Sequence, residues 1–418
     1  MHRLRTEKCA YFRNLLVDTC RLAIRLSQWC CTAPYPLDPY QRIKPYRQSK
    51  SFQTINILRR FLAALVFGIT LSVPFLLYFL KADRVNAFKI PLSIRLMFYL
   101  QALLQMGTLS YVLLVYQFRT SFHRFYFDRL VCVLEHFGRR DIDKSLSALQ
   151  TNMCRLLIAS LVFVILVFSA LVVRDHSWSN LLKVGIYLAT QLMATSFTLQ
   201  YLTVFGIVAV LLRQMNDTLE LILYGTVAYD EGTNGSHSRL RKPVRFTRDD
   251  EQTIEKIRLL QLKLVQIVFH TNGGEYGLLL IVVLLTTFIF LNTELLQLYQ
   301  GIKASAFTFD VIGAKLTNSA LKFGMMVVYA IANRTIQTQN LRGLKLLFQL
   351  HSSSSSSRCH EITNRFITQT TLFLANGHEA YSMISIDMTL ILSIVAGLTN
   401  ILVVLVQFSD GKPSCNQL

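Results

Sequence analysis

Long uncharged apolar runs alternate with basic, polar stretches along this chain. Runs of membrane length lie at residues 61–80, 96–118, 156–173, 184–212, 276–293, 311–333 and 388–408. The last is 21 residues without a charge. At roughly 1.5 Å per residue such a helix covers about 30 Å, the hydrocarbon thickness of a bilayer. Lys315 and Lys322 interrupt the sixth run and the fourth is unusually long, so six or eight spans also fit the pattern. The predicted fold class is an all-α membrane protein with seven transmembrane helices.

Between the runs, shorter patterns appear. Residues 8–31 set Phe12, Leu15, Leu16, Cys20, Leu22, Ile24 and Leu26 at roughly helical spacing among arginines. This reads either as an amphipathic helix on the membrane surface or as a poorly ordered tail. Pro34, Pro36 and Pro39 end it. Ile254, Ile257, Leu260, Leu264, Ile267 and Val268 share a helix face, as do Ile362, Phe366, Thr370, Phe373 and Leu374. The Gly, Ser, Asn and Thr stretch at 231–238 reads as flexible, and the six serines at 352–357 as a solvated loop. Asp387 stands where the last helix needs an N-cap.

Charge orients the spans. The chain is 52% hydrophobic and only 16% charged, with 28 phenylalanines against 8 prolines, and its mean hydropathy of +0.39 fits a polytopic membrane protein. The net charge of +19 sits in loops, which argues against nucleic acid as a partner. With seven spans, 33 lysines and arginines fall in residues 1–60, 119–155, 213–275 and 334–387, and 9 on the opposite face. By the positive-inside bias the amino terminus is cytoplasmic and the carboxyl terminus extracellular, the reverse of a G-protein-coupled receptor. The domain plan is a cytoplasmic segment 1–60 with the amphipathic helix, six helices with long cytoplasmic loops over 61–333, cytoplasmic helices at 334–387, the seventh helix at 388–408 and an extracellular tail at 409–418. No uninterrupted apolar segment of signal-peptide type opens the sequence.

Catalytic chemistry is not indicated. Phosphate-binding glycine loops, His-Glu-x-x-His, paired CxxC and Gly-x-Ser-x-Gly are all missing from the sequence, so no enzyme, cofactor or metal is expected. Seven of the 8 cysteines fall on the reducing side or the membrane edge, which predicts no internal disulfide. Cys30-Cys31 is a candidate acylation pair, with free thiols the default. Asp128-Arg129 resembles the acid–arginine pair of rhodopsin-like receptors but follows the second span instead of the third, and reads as ordinary loop charge.

Polar residues inside the spans carry more information, because each must find a partner. Gln101, Gln105 and Thr108 share one face of the second span; Tyr187, Gln191, Thr195 and Thr198 share one of the fourth. Asn292, Glu294, Lys315, Asn318 and Lys322 fall at a similar depth, with Lys322 and Glu294 a plausible ion pair. Helix-to-helix hydrogen bonds, worth about 0.6–2 kcal/mol each, would explain any one of them. Their convergence suggests a small-molecule cavity open to the outside. The candidate ligand-binding residues are Gln101, Gln105, Tyr187, Gln191, Thr195, Glu294 and Lys322. In the last span, Asn400, Val403, Val404, Gln407 and Phe408 fit either a packed anchor or the lining of a pore.

The nine residues from Asn400 to Phe408 also carry a resemblance. Insect gustatory receptors close their final helix with Thr-Tyr, five hydrophobic residues and Gln-Phe. Here Asn400-Ile401, five hydrophobic residues and Gln407-Phe408 have that spacing, with Asn-Ile in place of Thr-Tyr. The approach from Ala375-Asn376-Gly377 through Ser385-Ile386-Asp387 to Ala396-Gly397-Leu398 is similar as well. What the resemblance implies is a ligand-gated, non-selective cation channel lined by the last helix. It also implies a homo- or hetero-tetramer with other gustatory receptor subunits, joined through the cytoplasmic anchor helices. Further implications are a plasma-membrane location among the lipids of a chemosensory neuron and a small-molecule tastant, for which a bitter or aversive compound is the expectation. A G-protein-coupled receptor and a small-molecule transporter are the alternatives; the latter predicts internal repeats that the sequence does not contain.

Overall fold

We describe a computed structural model over residues 2–30, 32, 57–58, 61–68, 72, 96, 100, 103–104, 106–108, 110–113, 120–174, 178–231, 246–303, 309–354, 356–376, 379–380 and 383–410. Its helices are α1 (His2–Trp29), α2 (Thr120–Leu134), α3 (Arg139–Arg174), α4 (Trp178–Glu231), α5 (Arg248–His270), α6 (Gly277–Lys303), α7 (Phe309–Ser353), α8 (Ser357–Asn376) and α9 (Met388–Asp410). A π-helical turn, Thr271–Glu275, joins α5 to α6, and a two-residue hairpin, Glu379–Ala380 with Ile384–Ser385, joins α8 to α9. The predicted all-helical class is what the chain adopts.

Among the described residues, Ile142–Ser169, Leu188–Tyr224 and Gly277–Tyr299 are long and apolar enough to cross a bilayer, and Met388–Val404 is a shorter apolar helix. The fourth run is the core of α4, 54 residues long. At about 1.5 Å per residue that helix far exceeds a bilayer, so it continues beyond the span. The sixth run lies within α7, whose two lysines keep it out of the apolar set. The first two runs are described only in part: residues 61–68 are helical, and Ala63 packs with Leu113 and Met193.

α4 is the pillar of the bundle. Of its most apolar window 89% is buried, against 17% for α3, whose Ile158, Val162, Ile165 and Leu166 point outward. A helix apolar on every side and mostly uncovered is one that lipid surrounds. α4 packs chiefly on α7 and α3, and Gly206 accepts Leu149 so closely that an added Cβ would lie 2.7 Å from the leucine Cδ1.

Three expectations change. α1 is an ordered helix and not a loose tail, and its apolar face lies on the bundle. Phe12, Leu16, Cys20 and Ala23 are buried against the bundle, Arg13 pairs with Asp128 at 2.7 Å, and Tyr11 donates to Asp143 at 2.5 Å. Its amphipathic face found protein instead of lipid, which periodicity alone cannot distinguish. Asp128 and Arg129 are likewise not loop charges: they lie on α2, where Arg129 donates to Gln266 of α5 and stacks on Phe125. The described serines of the 352–357 run lie at two helix ends and not in a long solvated loop. Ser352 and Ser353 finish α7, Ser354 is buried, and Ser356 Oγ donates to Glu251 at 2.6 Å while accepting from the Cys359 amide at 3.4 Å. Hydroxyls suit such positions because they satisfy backbone groups that helix ends leave free. The flexible stretch at 231–238 lies outside the described residues from 232 onward.

α5 and α8 form as their periodicity predicts. Thr247 and Asp250 make a reciprocal capping box at the start of α5. Gln261 of α5 donates to Asn340 of α7 at 2.9 Å and accepts from Gln369 of α8 at 2.9 Å, locking three helices. Among the described residues Cys9, Cys20, Cys30, Cys132, Cys154 and Cys359 are free thiols.

Where α5 gives way to α6, a buried polar ring ties the bundle. Tyr201 donates to Asn272 at 2.9 Å, Asn272 to Asn333 at 3.1 Å, and Asn333 back to Tyr201 at 2.7 Å. The π-turn makes this possible: its Gly273 and Gly274 have open space around them, and the Tyr276 amide closes the wide turn on the Thr271 carbonyl at 2.9 Å. Asn333 and Asn216, both in glycosylation sequons, are buried, and Asn234 is outside the described residues. Replacing Asn333 by leucine strands two buried partners, each costing about 1–3 kcal/mol. The expected outcome is a clear fall in the thermal midpoint of the purified protein in detergent, with no change in its glycan content.

Candidate functional site

Two features stand out, a pair of cavities beside α4 and the uncovered face of α9. The larger cavity, about 330 Å³, lies among α3, α4 and α7, with Ser160, Thr195 and Thr198 the polar groups in a wall of leucine, alanine, phenylalanine and methionine. Since α3 is largely uncovered, this cavity borders the lipid side of the bundle. The smaller, about 100 Å³, is central. Thr190, Met193, Ala194 and Phe197 of α4 face Leu279, Val283, Thr286, Thr287 and Phe290 of α6, and Lys322, Met325, Met326 and Tyr329 of α7. Thr108 and Val112 of the second run, with Thr32, complete the wall. Met325 lines both cavities.

The helices hold this chamber rigidly at its base. Phe197, Tyr201, Tyr276 and Tyr329 pack with ring centroids 5.0–6.4 Å apart. Thr198 shares a 2.7 Å hydrogen bond with Tyr329, and Tyr276 donates to Gln200 at 3.0 Å. Every buried hydroxyl in that floor is thereby engaged, as a low-dielectric interior demands.

Not all predicted ligand residues meet there. Lys322 lines the central cavity and Thr195 the larger one. Gln191 is fully buried beside them, its amide 3.4 Å from the Met325 sulfur and its Oε1 without a hydrogen bond. Gln101, Gln105 and the Tyr187 side chain lie outside the described residues. Glu294 faces neither cavity lining, and its expected pairing with Lys322 is replaced. Lys315 Nζ lies 2.8 Å from Glu294 and 2.6 Å from Gln297. The reason is depth: α6 and α7 run antiparallel, and Lys322 lies seven residues, roughly 10 Å, below the level of Lys315. Sequence reading passed over Thr190, Thr286, Thr287 and the methionines; the Thr286-Thr287 pair, inside an otherwise apolar span, was the available signal.

α9 packs on α6 and α7 through Ile391, Ile394 and Leu398, which join Leu284, Leu291, Met326 and Ala330. Gly397 allows close approach, a Cβ there meeting Phe288 at 3.4 Å. The opposite face is uncovered: Leu392, Val395, Thr399, Asn400, Val403, Val404 and Gln407 are exposed, and the Phe408 side chain lies outside the described residues. Asp387 starts the helix as predicted, its Oδ1 accepting from the Thr389 and Leu390 amides, each at 3.0 Å. Burial opposes its charge, but these bonds and those from the Thr389 and Ser385 hydroxyls prevail and hold the carboxyl below its ordinary range.

The family described as 7tm Chemosensory receptor matches residues 20–411. The insect olfactory receptor OR5 from Machilis hrabei is similar in structure at 9% sequence identity and a TM-score of 0.64, covering 93% of this chain and 97% of that one. Its complex with eugenol is similar at 10% identity and a TM-score of 0.61, covering 94% and 99%. At such identities the likeness concerns the fold. No curated protein matches the chain in sequence.

The site geometry yields two expectations. Glu294→Leu removes the carboxylate partner of Lys315 and should cost about 2–3 kcal/mol, most of it recovered in Glu294→Leu/Lys315→Leu; a double-mutant cycle on thermal midpoints measures both. Asp387→Ala removes a helix cap worth about 0.5–2 kcal/mol. Because the Asp387 pKa is lowered on folding, its contribution is complete above the unfolded carboxylate range and is lost as pH falls through the lowered value. The wild-type advantage over the alanine variant in thermal midpoint should therefore vanish in strong acid.

Proposed function

The chain belongs to the 7tm chemosensory receptor family, and from that premise we propose that it is a ligand-gated, non-selective cation channel sensing a small-molecule tastant. The carrying observation is the uncovered face of α9. Along one stripe, Leu392, Val395, Thr399, Val403 and Val404 are apolar or nearly so, and Asn400 and Gln407 add amides. Amides at membrane depth facing lipid would be costly. Facing the same helix of other subunits around a symmetry axis, they would form polar rings about an apolar constriction, which gates by dewetting.

Coupling from cavity to gate has a physical route. Met326 of α7 lies both in the central cavity wall and in the cluster that seats α9. On α6, Thr287 and Phe290 line the cavity while Leu284, Phe288 and Leu291 contact α9. A tastant that fits the cavity better in one arrangement of α6 and α7 shifts the equilibrium toward it, and the α9 helices follow. Each tenfold of differential affinity supplies about 1.4 kcal/mol of bias.

The gustatory assignment rests on the Gln407-Phe408 ending, and a bitter or aversive compound suits a chamber walled chiefly by apolar groups. The proposed assembly is a tetramer, homomeric or with other gustatory receptor subunits, joined through α7 and α8, where Leu341, Phe348 and Leu372 are exposed. The basic face is cytoplasmic, the carboxyl terminus is outside, and the location is the plasma membrane of a chemosensory neuron. OR5 from Machilis hrabei in complex with eugenol supports the small-molecule reading.

Val404→Gln should raise basal leak and Gln407→Ala should change unitary conductance, both at unchanged surface expression, in patch-clamp recordings of cells expressing the receptor. Unaltered leak and conductance in both variants would remove α9 from the pore. An epitope after Leu418 should be labelled on intact cells; a hidden tag would reverse the orientation.

A further inference from the structure

Two lysines enter the apolar part of α7, seven residues apart, and they have opposite surroundings. Lys315 is satisfied, with Glu294 at 2.8 Å and Gln297 at 2.6 Å. Lys322, about two helical turns deeper, makes neither a hydrogen bond nor an ion pair among the described residues and lies in the wall of the central cavity. Among the described residues no acidic side chain lines that cavity. An ammonium in an apolar wall without a counter-charge is poorly solvated and favours an anionic partner.

The cavity's hydroxyls sharpen the point. Thr108 donates to the Leu104 carbonyl at 2.6 Å, Thr286 to the Val283 carbonyl at 3.0 Å, and Tyr329 is engaged with Thr198 at 2.7 Å. Their protons are committed, so toward the cavity they offer mainly acceptors. Thr287 on α6 makes no such bond among the described residues, which leaves its hydroxyl and the Lys322 ammonium as free donors on facing helices. The rest of the wall is apolar and partly aromatic, notably Phe197, Phe290, Met193 and Met326.

We propose that the central cavity selects small organic anions, a carboxylate on a compact apolar or aromatic body, with Lys322 as the residue that determines this specificity. This rests on the cavity being the tastant site. One carboxylate oxygen takes the ammonium and the other the Thr287 hydroxyl, while the body displaces water from the aromatic wall. Charge-assisted hydrogen bonds in a low-dielectric chamber are the strong kind. A neutral molecule of the same shape gains the apolar contacts alone.

The test uses the purified full-length receptor in detergent at neutral pH, with benzoate and benzyl alcohol as probes of nearly equal shape, and ligand-observed NMR to obtain dissociation constants. Benzoate should bind the wild type about 10- to 100-fold more tightly than benzyl alcohol, the range a charged hydrogen bond commands. Lys322→Met should erase that preference while keeping benzyl alcohol binding, and Lys322→Arg should retain most of it. Thr287→Val should cost several-fold for benzoate only; it supplies the same comparison if Lys322→Met does not elute as a folded species. Absence of a benzoate preference in the wild type, or its survival in Lys322→Met, overturns the anion inference and leaves the cavity reading standing. Thr287→Trp, which fills the chamber, should abolish binding of both probes. Undiminished binding of both in that variant overturns the cavity reading, and the inference with it.

Discussion

Inside an apolar helix bundle an amide or hydroxyl must find a partner, and the ring of Tyr201, Asn272 and Asn333 is where this protein meets that demand. Each member donates to the next and accepts from the one before, and the second Asn333 amide proton goes to the Tyr329 carbonyl at 3.1 Å. The ring fixes α4 to α7 and pins both to the π-turn, which sets where α6 departs. Above it the tyrosines and Phe197 form a packed floor, and the central cavity is the space left between three helices whose lower ends cannot separate.

From that fixed base the outer parts of α6 and α7 have two duties. One side of each faces the cavity and the other seats α9. A shape change on one side of such shared helices would be felt on the other, because close-packed interiors rearrange between discrete arrangements instead of deforming smoothly. A satisfied pair, Lys315 with Glu294, clamps the two helices near one level. Lys322, with no such partner among the described residues, lies deeper, in the wall of the central cavity. At the other end, the Gln261 network and the serines at the helix ends lock α5, α7 and α8 together, giving α9 a firm mount through the short hairpin.

Amphipathicity proved to be a statement about a face and not about its partner. α1 has the pattern of a surface helix yet buries Phe12 and Leu16 completely against the bundle. α9 leaves Val403 and Val404 half exposed in a single chain, which is a surface awaiting lipid or another subunit. The serine run made the opposite error possible: low-complexity composition suggests solvation, but short hydroxyl side chains are also the cheapest way to satisfy two helix ends.

Residue order by itself determined what depends on neighbours within one or two helical turns. Uncharged runs mark where apolar helices form, and the periodicity of α5 and α8, the Asp387 cap and the chemoreceptor ending of α9 were all legible there. Tertiary structure alone decided what depends on depth and on contacts across the chain. Tyr201, Asn272 and Asn333 are 61 to 132 positions apart, and nothing local in any of them announces the ring. The choice between Lys315 and Lys322 as partner of Glu294 turned on about 10 Å of helical rise, a distance that becomes meaningful only once α6 and α7 lie side by side.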